Sequence, residues 1–596
     1  MKKYLILTIL LISFNSCEKL TNVQTTHAIG EVTTIFVVNG NKSAVVGWKA
    51  PGDVSVIKYY LHRDTINNFA VKNSNRIGIF TSIPAKGFKD TQIENNKNYY
   101  YTIVTESMFD GAPFFSAPHF YAGAVGQDYS ILKSSDINYT KHIQQIFNSG
   151  CAVSGCHIGT GAILKTQKKL HGGVFSLKSW NDLIFNNNLS ATVIPYRANK
   201  SHLIYHLNRD TSKSPISKPM MPSEEIILPE EQIETLMEWI DSGAKNDLGE
   251  TAFNSIAKKG NILITSQGED LVSILNLDYL KITRVVTSGV ENVFQQTPMA
   301  PHNVTIDRAN KHYYVNLIGG SKILKFNVLD NTKIGEFKTE INSPAQVSLS
   351  FTGDTALVTN FEGTSKTITV FNTRTMEHIK TIADPAILKP HGISIAPNNK
   401  IALSANSFSD NITFINLSDL SVEATIPVSK TVPELPINYQ FQFEPYQIVI
   451  DSKSKFGYVT CKKSGEIRVI DIEQRKIIDS IKVGDIPLIP AISNDDMFVY
   501  IPNRNSNSLS VLETSTRKII KTIETIGQQP HGVAVSNDGK MIIVTLENLI
   551  NPTPEHHPTT GSKRVGKVVI IDANNFSILK EFEVGNYAAG IASTFK

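Results

Sequence analysis

Polybasic runs, low-complexity tracts and apolar stretches long enough to cross a bilayer are all missing from this sequence, and cysteine is scarce, at four in 596 residues. The first absence, with a net charge of +4 on 19% charged residues, speaks against nucleic acid or an anionic surface as partner. The second, with 41% hydrophobic residues, leaves a chain able to build several cores, on the order of three to five at ~150 residues each. The third is nearly broken by residues 4–16, an uncharged and mostly apolar run after Lys2 and Lys3. That run falls short of the ~20 residues a spanning helix needs, so it reads as an export signal. It directs the chain outside the cytoplasm, where thiols oxidise, and so each of the four cysteines must be accounted for.

The run ends at Ser16-Cys17. There it resembles a bacterial lipoprotein signal, which implies cleavage that leaves Cys17 as a lipidated first residue. The mature protein is then anchored to a membrane by lipid, facing the periplasm or lying on the cell surface. An ordinary secretory signal with an incidental cysteine is the other reading.

Residues 24–122 alternate apolar and polar over 32–38, 44–48, 57–61 and 99–104, with Gly, Asn, Asp and Pro clusters between. This is the spacing of a β-sandwich. Trp48 near its start and the run Tyr99-Tyr100-Tyr101 near its end resemble the fibronectin type III pattern, which implies a tryptophan in the core and Tyr99 pinning a corner. No chemistry is expected of it.

Over residues 126–250 the period changes to helices and polar loops. Ile143, Ile146 and Phe147 mark one face of a helix over 138–148, and Ile233, Leu236, Met237 and Ile240 mark a second over 230–244 that closes near Gly243. Between them stands Cys151-Ala-Val-Ser-Gly-Cys156-His157. Two thiols followed at once by an imidazole suit covalent haem, the thiols adding to the porphyrin vinyls and the imidazole ligating iron. Four residues separate the thiols here, where two are usual. A short disulfide loop or half of a zinc site would also use the two cysteines. With Gly172-Gly173-Val174, Val193-Ile194-Pro195, Ser201-His202-Leu203, Met221-Pro222 and Trp239-Ile240 following in order, the segment resembles a class I cytochrome c domain. That resemblance implies haem c held by Cys151, Cys156 and His157, with Met221 as the distal ligand and Met220 as its alternative.

Residues 254–596 repeat. Pro301-His302, Pro344-Ala345, Pro390-His391, Pro445-Tyr446, Pro487-Leu488, Pro530-His531 and Ala588-Ala589 form seven anchors, roughly 40 to 60 residues apart with short strands between, the signature of a propeller. The unit at 261–286 lacks an anchored strand and the last anchor lacks a unit, so the C-terminal strand is expected to complete the first blade of seven. Tyr458-Val459-Thr460-Cys461 and Leu357-Val358-Thr359-Asn360 make the unit resemble a YVTN-type repeat, with Cys461 expected to be a half-buried structural thiol. The fold class expected is therefore multidomain and mainly β, a sandwich and a seven-bladed propeller with a small all-α cytochrome domain between.

The anchors ring a channel mouth, bringing His302, His391, His531 and Tyr446 together. The long loop at 548–567 adds Glu555, His556 and His557. Neutral imidazoles are the commonest metal ligands, so copper or iron at this mouth is a further expectation. So is the bland alternative, histidines bonding neighbouring loops. The function expected is an extracytoplasmic c-type cytochrome exchanging electrons with a binding or catalytic propeller. A redox partner protein and an unidentified small-molecule or protein ligand at the mouth would be its partners. The alternative is a non-redox surface lipoprotein whose propeller binds protein or glycan.

Overall fold

The computed structural model describes residues 29–32, 34–109, 111–118, 122–125, 134–152, 157, 176–186, 191–222, 226–289, 299–429, 441–553 and 565–595. The segment expected to be an export signal, with Cys17, the second thiol Cys156, and the loop residues His556 and His557 lie outside these. Among the described residues no helix is long and apolar enough to cross a membrane.

The amino-terminal strands form two antiparallel sheets. One orders Ile35–Gly40, Ser43–Trp48 and Phe88–Asp90; the other joins Arg76–Phe80, Val56–Asp64, Asn98–Phe109 and Ala112–Phe115, with Ala122–Val125 also on Asn98–Phe109. The alternating apolar faces meet in one core around Trp48, Tyr59, Leu61 and Tyr101, as two half-buried sheets require. Trp48 lies 5.4 Å from Phe80 and 5.7 Å from Tyr59, ring to ring. The Tyr99 hydroxyl accepts the Glu94 backbone N–H at 3.2 Å, tying the preceding turn to its strand.

The middle segment starts with a π-helical turn, Tyr139–Ile143, that runs straight into α1 (Gln144–Gly150). Asn138 caps it, its side chain accepting the Lys141 N–H at 2.9 Å. Then come α2 (Trp180–Ile184), α3 (His202–Leu207) and α4 (Glu230–Asp241), with Gly243 at φ +110° just beyond, a conformation open to glycine and costly to other residues. The predicted faces are the buried ones: Ile143, Ile146, Phe147, Leu236 and Ile240 are all 0% exposed.

The expectation of a separate all-α unit needs correction. Among the described residues the longest helix has 12 residues, too little to enclose a core alone, and the sandwich strand Ile35–Gly40 completes it with Phe36 and Val38. Gln232 of α4 also donates its amide to the Asn39 carbonyl.

Among the described residues seven four-stranded antiparallel sheets follow, each built of consecutive strands except one: Ala588–Ser593 lies innermost beside Asn261–Ser266, Leu271–Asn276 and Lys281–Thr287. The carboxy-terminal strand thus completes blade one, as the orphaned first unit and last anchor require. The middle helical segment covers the outer strand of that blade, whose free edge would otherwise be open to pairing. Arg197 donates to Thr287 Oγ1 at 2.9 Å, Arg284 donates to the Ala252 carbonyl at 3.0 Å, and buried Lys200 and Glu269 stand 3.8 Å apart. Cys461 is fully buried, not half-buried, in the core between blades four and five. Burial pushes its thiol far above the ordinary range, so it stays protonated and inert.

Candidate functional site

Six of the seven anchors begin the innermost strand of a blade, and local backbone aims the second residue inward. The residue ahead of every anchor has a left-handed φ: Ala300, Ser343, Lys389, Glu444, Ile486, Gln529 and Tyr587 lie between 47° and 59°. None is glycine, and each such turn costs on the order of 1 kcal/mol. Their recurrence swings the chain from an outer strand into the channel. Proline follows without loss, because the innermost strand is an edge and its N–H has no partner there. A bulge then interrupts the register, between Pro301 and Asn303, Pro390 and Gly392, and Pro530 and Val533, for example. A bulge re-aims one side chain, and here that side chain is His302, His391 or His531. Blade six departs from the pattern: Pro490 reduces its inner strand to Ala491–Ile492.

The third anchor residue is glycine where inner strands crowd. A Cβ on Gly392 would stand 2.3 Å from Gln447 Oε1 and 2.5 Å from the Tyr446 carbonyl; one on Gly590 would stand 2.5 Å from the His302 carbonyl. Close approach, rather than backbone freedom, demands glycine here.

His302, His391 and His531 come from blades two, four and seven, so they touch only across the channel axis. Their ring centroids lie 5.3 Å (His302 to His391) and 5.8 Å (His302 to His531) apart, and His391 stacks on Tyr446 at 3.6 Å. All four are buried, so the predicted convergence of these residues is present. The hydrogen bonds fix the tautomers. His391 Nδ1–H donates to the Tyr446 carbonyl at 3.1 Å, which leaves its Nε2 bare to accept from His302 Nε2–H at 3.1 Å. His302 Nδ1 then accepts from the Gln267 amide at 3.1 Å. His531 Nδ1–H donates to Glu547 Oε1 at 2.7 Å, and Arg504 grips that carboxylate at 2.8 and 2.7 Å. His531 Nε2 is buried with no hydrogen-bond partner among the described residues.

Burial pushes His302 down to about 3, with the neighbouring His531 adding to the effect. Burial and the charge His302 would carry hold His391 well below the ordinary imidazole range. Both are neutral at pH 7. Burial keeps Tyr446 a neutral phenol, far above its usual range, and raises Tyr587 to about 12. For Glu547 burial pushes the carboxyl up, but the His531 and Arg504 hydrogen bonds outweigh it and hold it below the usual range.

Glu547, Arg504 and Gln267 are absent from the expected set. The sixteen-residue step from His531 to Glu547 carries the other anchors to Ile318, Phe361, Ser407, Lys462 and Arg504. In every blade this position follows the last residue of the second strand. That fixed offset is the signal that would have found them; Gln267 holds the same place in blade one, after Ser266. Among the described residues, no group of three or more histidine, cysteine, aspartate or glutamate side chains is placed to hold a metal ion.

In the helical segment, Cys151 is buried at the end of α1, its N–H donating to the Phe147 carbonyl at 2.8 Å. Half-buried His157 donates its backbone N–H to the Cys151 carbonyl at 3.1 Å, and its own carbonyl accepts from Leu177 at 2.9 Å. Met221 is held by α3: its N–H donates to the His206 carbonyl at 2.8 Å, and Arg209 donates to its carbonyl at 3.1 Å. Cys151, Ala152 and Met221 pack on one core with α1 and α4. A buried thiol, an imidazole and a thioether are a donor set that fits haem c.

A family described as lactonase, seven-bladed β-propeller, matches residues 299–551. No curated protein matches the chain. Among solved structures, a protein of unknown function from Desulfotomaculum acetoxidans DSM 771 aligns at 14% identity and TM-score 0.45, over 56% of this chain and 99% of its own. Hydrazine synthase of Kuenenia stuttgartiensis aligns at 14% identity and TM-score 0.39, over 49% and 88%. From its own sheets and from the matched family, the carboxy-terminal region is a seven-bladed β-propeller.

Proposed function

We propose that the chain is an extracytoplasmic, lipid-anchored c-type cytochrome that exchanges electrons with a partner protein, with the propeller as its ligand-binding or catalytic platform. The observation that carries this reading is the shared core of α1 and α4, which places Cys151 at one helix end and Met221 on the same packing surface. Cys151 and Cys156 would hold the porphyrin and His157 and Met221 the iron; haem so held supplies one-electron transfer. A thioether opposite an imidazole favours reduced iron and raises the potential. The chain's own part is to orient: α1 delivers the first thiol, the His157 backbone is tied to Cys151 and Leu177, and α3 fixes the Met221 backbone.

The docking of this segment fits the reading. Lys200 meets Glu269 on the rim of blade one, two residues along from the Gln267 that bonds His302. A redox group in the helical segment would therefore lie on the side of the propeller where the histidines gather. The test is a haemochrome assay after denaturation, on protein matured in a host competent for haem attachment. Covalent haem that Cys156→Ala reduces or abolishes supports the reading; its absence from the parent protein would leave a surface lipoprotein whose propeller binds protein or glycan. Met221→Ala should keep haem attached, lower its potential and open the sixth position. A spectrum unchanged by that substitution would move the ligand to Met220 or elsewhere.

A further inference from the structure

We propose, on the reading that the helical segment holds haem, that Arg209 is the positioning residue for the thioether of Met221, and that with His206 it decides which of two adjacent methionines reaches the iron. An imidazole ligand has a second ring nitrogen through which an outer partner can orient it. A thioether has no second polar atom, so its direction has to come from the backbone that carries it.

At Met221 both backbone groups are taken. Its N–H donates to the His206 carbonyl at 2.8 Å, and its carbonyl accepts from Arg209 Nη2 at 3.1 Å. The His206 ring adds a third tie, its Nδ1–H donating to the Pro219 carbonyl at 2.8 Å. Residues 219–221 are thus fastened to the end of α3 at three points.

Arg209 is suited to this by its shape. Nη1 donates to the carbonyls of His206, Leu207 and Asn208 at 3.2, 3.0 and 3.1 Å, acceptors that the end of a helix leaves without partners of its own. Nη2 then reaches across to Met221. A planar fork holds both sides at once, whereas a lysine ammonium is a single point on a flexible stem. The helix it grips is itself fixed: Leu203, Ile204 and Leu207 lie in one core with Cys151. Among the described residues, that core takes in Met221 and not Met220. The clamp therefore ties the candidate sixth ligand to the same packed body as the first thiol.

The test uses the full chain matured with haem and reads covalent attachment separately from axial ligation. Arg209→Met should keep covalent haem and lower the midpoint potential in the direction of Met221→Ala. Carbon monoxide should bind its reduced form at least roughly tenfold more tightly than the parent's, the scale on which loss of an outer partner weakens a ligand. Arg209→Lys should fall between Arg209→Met and the parent, and Lys213→Met, which removes a pairing with exposed Glu230 and Glu234, should match the parent. In chain produced without haem, the Met221 amide should exchange faster in Arg209→Met than in the parent. Covalent haem with potential and carbon monoxide affinity unchanged in Arg209→Met overturns the proposal and leaves the haem reading standing; a parent chain without covalent haem overturns both. Should Arg209→Met fail to fold, Arg209→Lys decides: an intermediate potential and affinity support the clamp, and values equal to the parent's overturn it.

Discussion

Gly392 shows how much a single position can owe to its neighbours rather than to its own backbone. Pro-His-Gly suggests turn chemistry, whereas the structure puts the next inner strand where a Cβ would lie, 2.5 Å from the Tyr446 carbonyl. Gly392→Ala should therefore cost about 1 to 3 kcal/mol through overpacking, read as a lower denaturant midpoint with an unchanged slope. The same gap separates legible from illegible residues at the mouth. His302, His391 and His531 are found by their repeated phrase. Glu547 and Arg504 stand alone in sequence, and only the sixteen-residue offset, visible once strand ends are known, groups them. Cys461 departs from its expected half-burial for a similar reason. Alternation tells which face of a strand is apolar, but not that a neighbouring blade covers that face completely.

Lys281 offers a pH-dependent test at the same scale. Burial, with Lys580 adding repulsion, lowers it to about 8 from an ordinary 10.5. Below pH 8 it is charged in both folded and unfolded chains, so the full burial penalty weighs on the fold; the penalty fades as pH rises from 8 to 10.5. Lys281→Met should stabilise the protein by about 2 kcal/mol at pH 7, with the gain shrinking over that window. A gain of the same size at pH 7 and pH 10.5, measured by chemical denaturation, would sink this account.

Among the elements, helices and blades were unequally legible. The apolar period placed α1 and α4 within a few residues, because one buried face is all a short helix needs to announce itself. It could not name what covers that face, and Phe36 and Val38 of the sandwich do. The blades were better served: a repeat states its partner as well as its pattern, since each unit packs on the next. Closure by Ala588–Ser593 followed from one unit missing a strand and one strand missing a unit. Truncation before Ala588 should remove the partner of Asn261–Ser266, whose Ile262, Leu263 and Ile264 are at most 1% exposed. A fall in melting temperature of at least ~10 °C, or insolubility, is the expected outcome; a melt within a few degrees of the parent's would show that blade one stands without its inner strand.

For the whole molecule, the sandwich, the helical segment and blade one form a continuous run of contacts, from Phe36 through α1 and α4 to Lys200, Glu269 and Arg284. Nothing in composition or spacing announces this, because contacts between units are made by residues scattered over all of them. Lys200 and Glu269 are 6% and 1% exposed, and removing Lys200 takes the neighbouring cation from a buried carboxylate that still accepts the Asn586 N–H. Lys200→Ala should therefore destabilise by about 3 kcal/mol and loosen the helical segment from the propeller, seen as faster amide exchange along Lys281–Thr287. Lys200→Met with Glu269→Gln should recover much of the loss.

Closure of blade one also sets a clock. Thr265 and Gly590, bonded in that blade, are 325 residues apart in the chain. A chain that emerges from its amino terminus therefore offers its sandwich and helical segment long before the blade beneath them can be finished. For most of that interval His531 has yet to join His302 across the axis. Pairing of the last strand with Asn261–Ser266 then closes the ring. Assembly order, as well as final geometry, is thus written into the position of six residues, Ala588–Ser593.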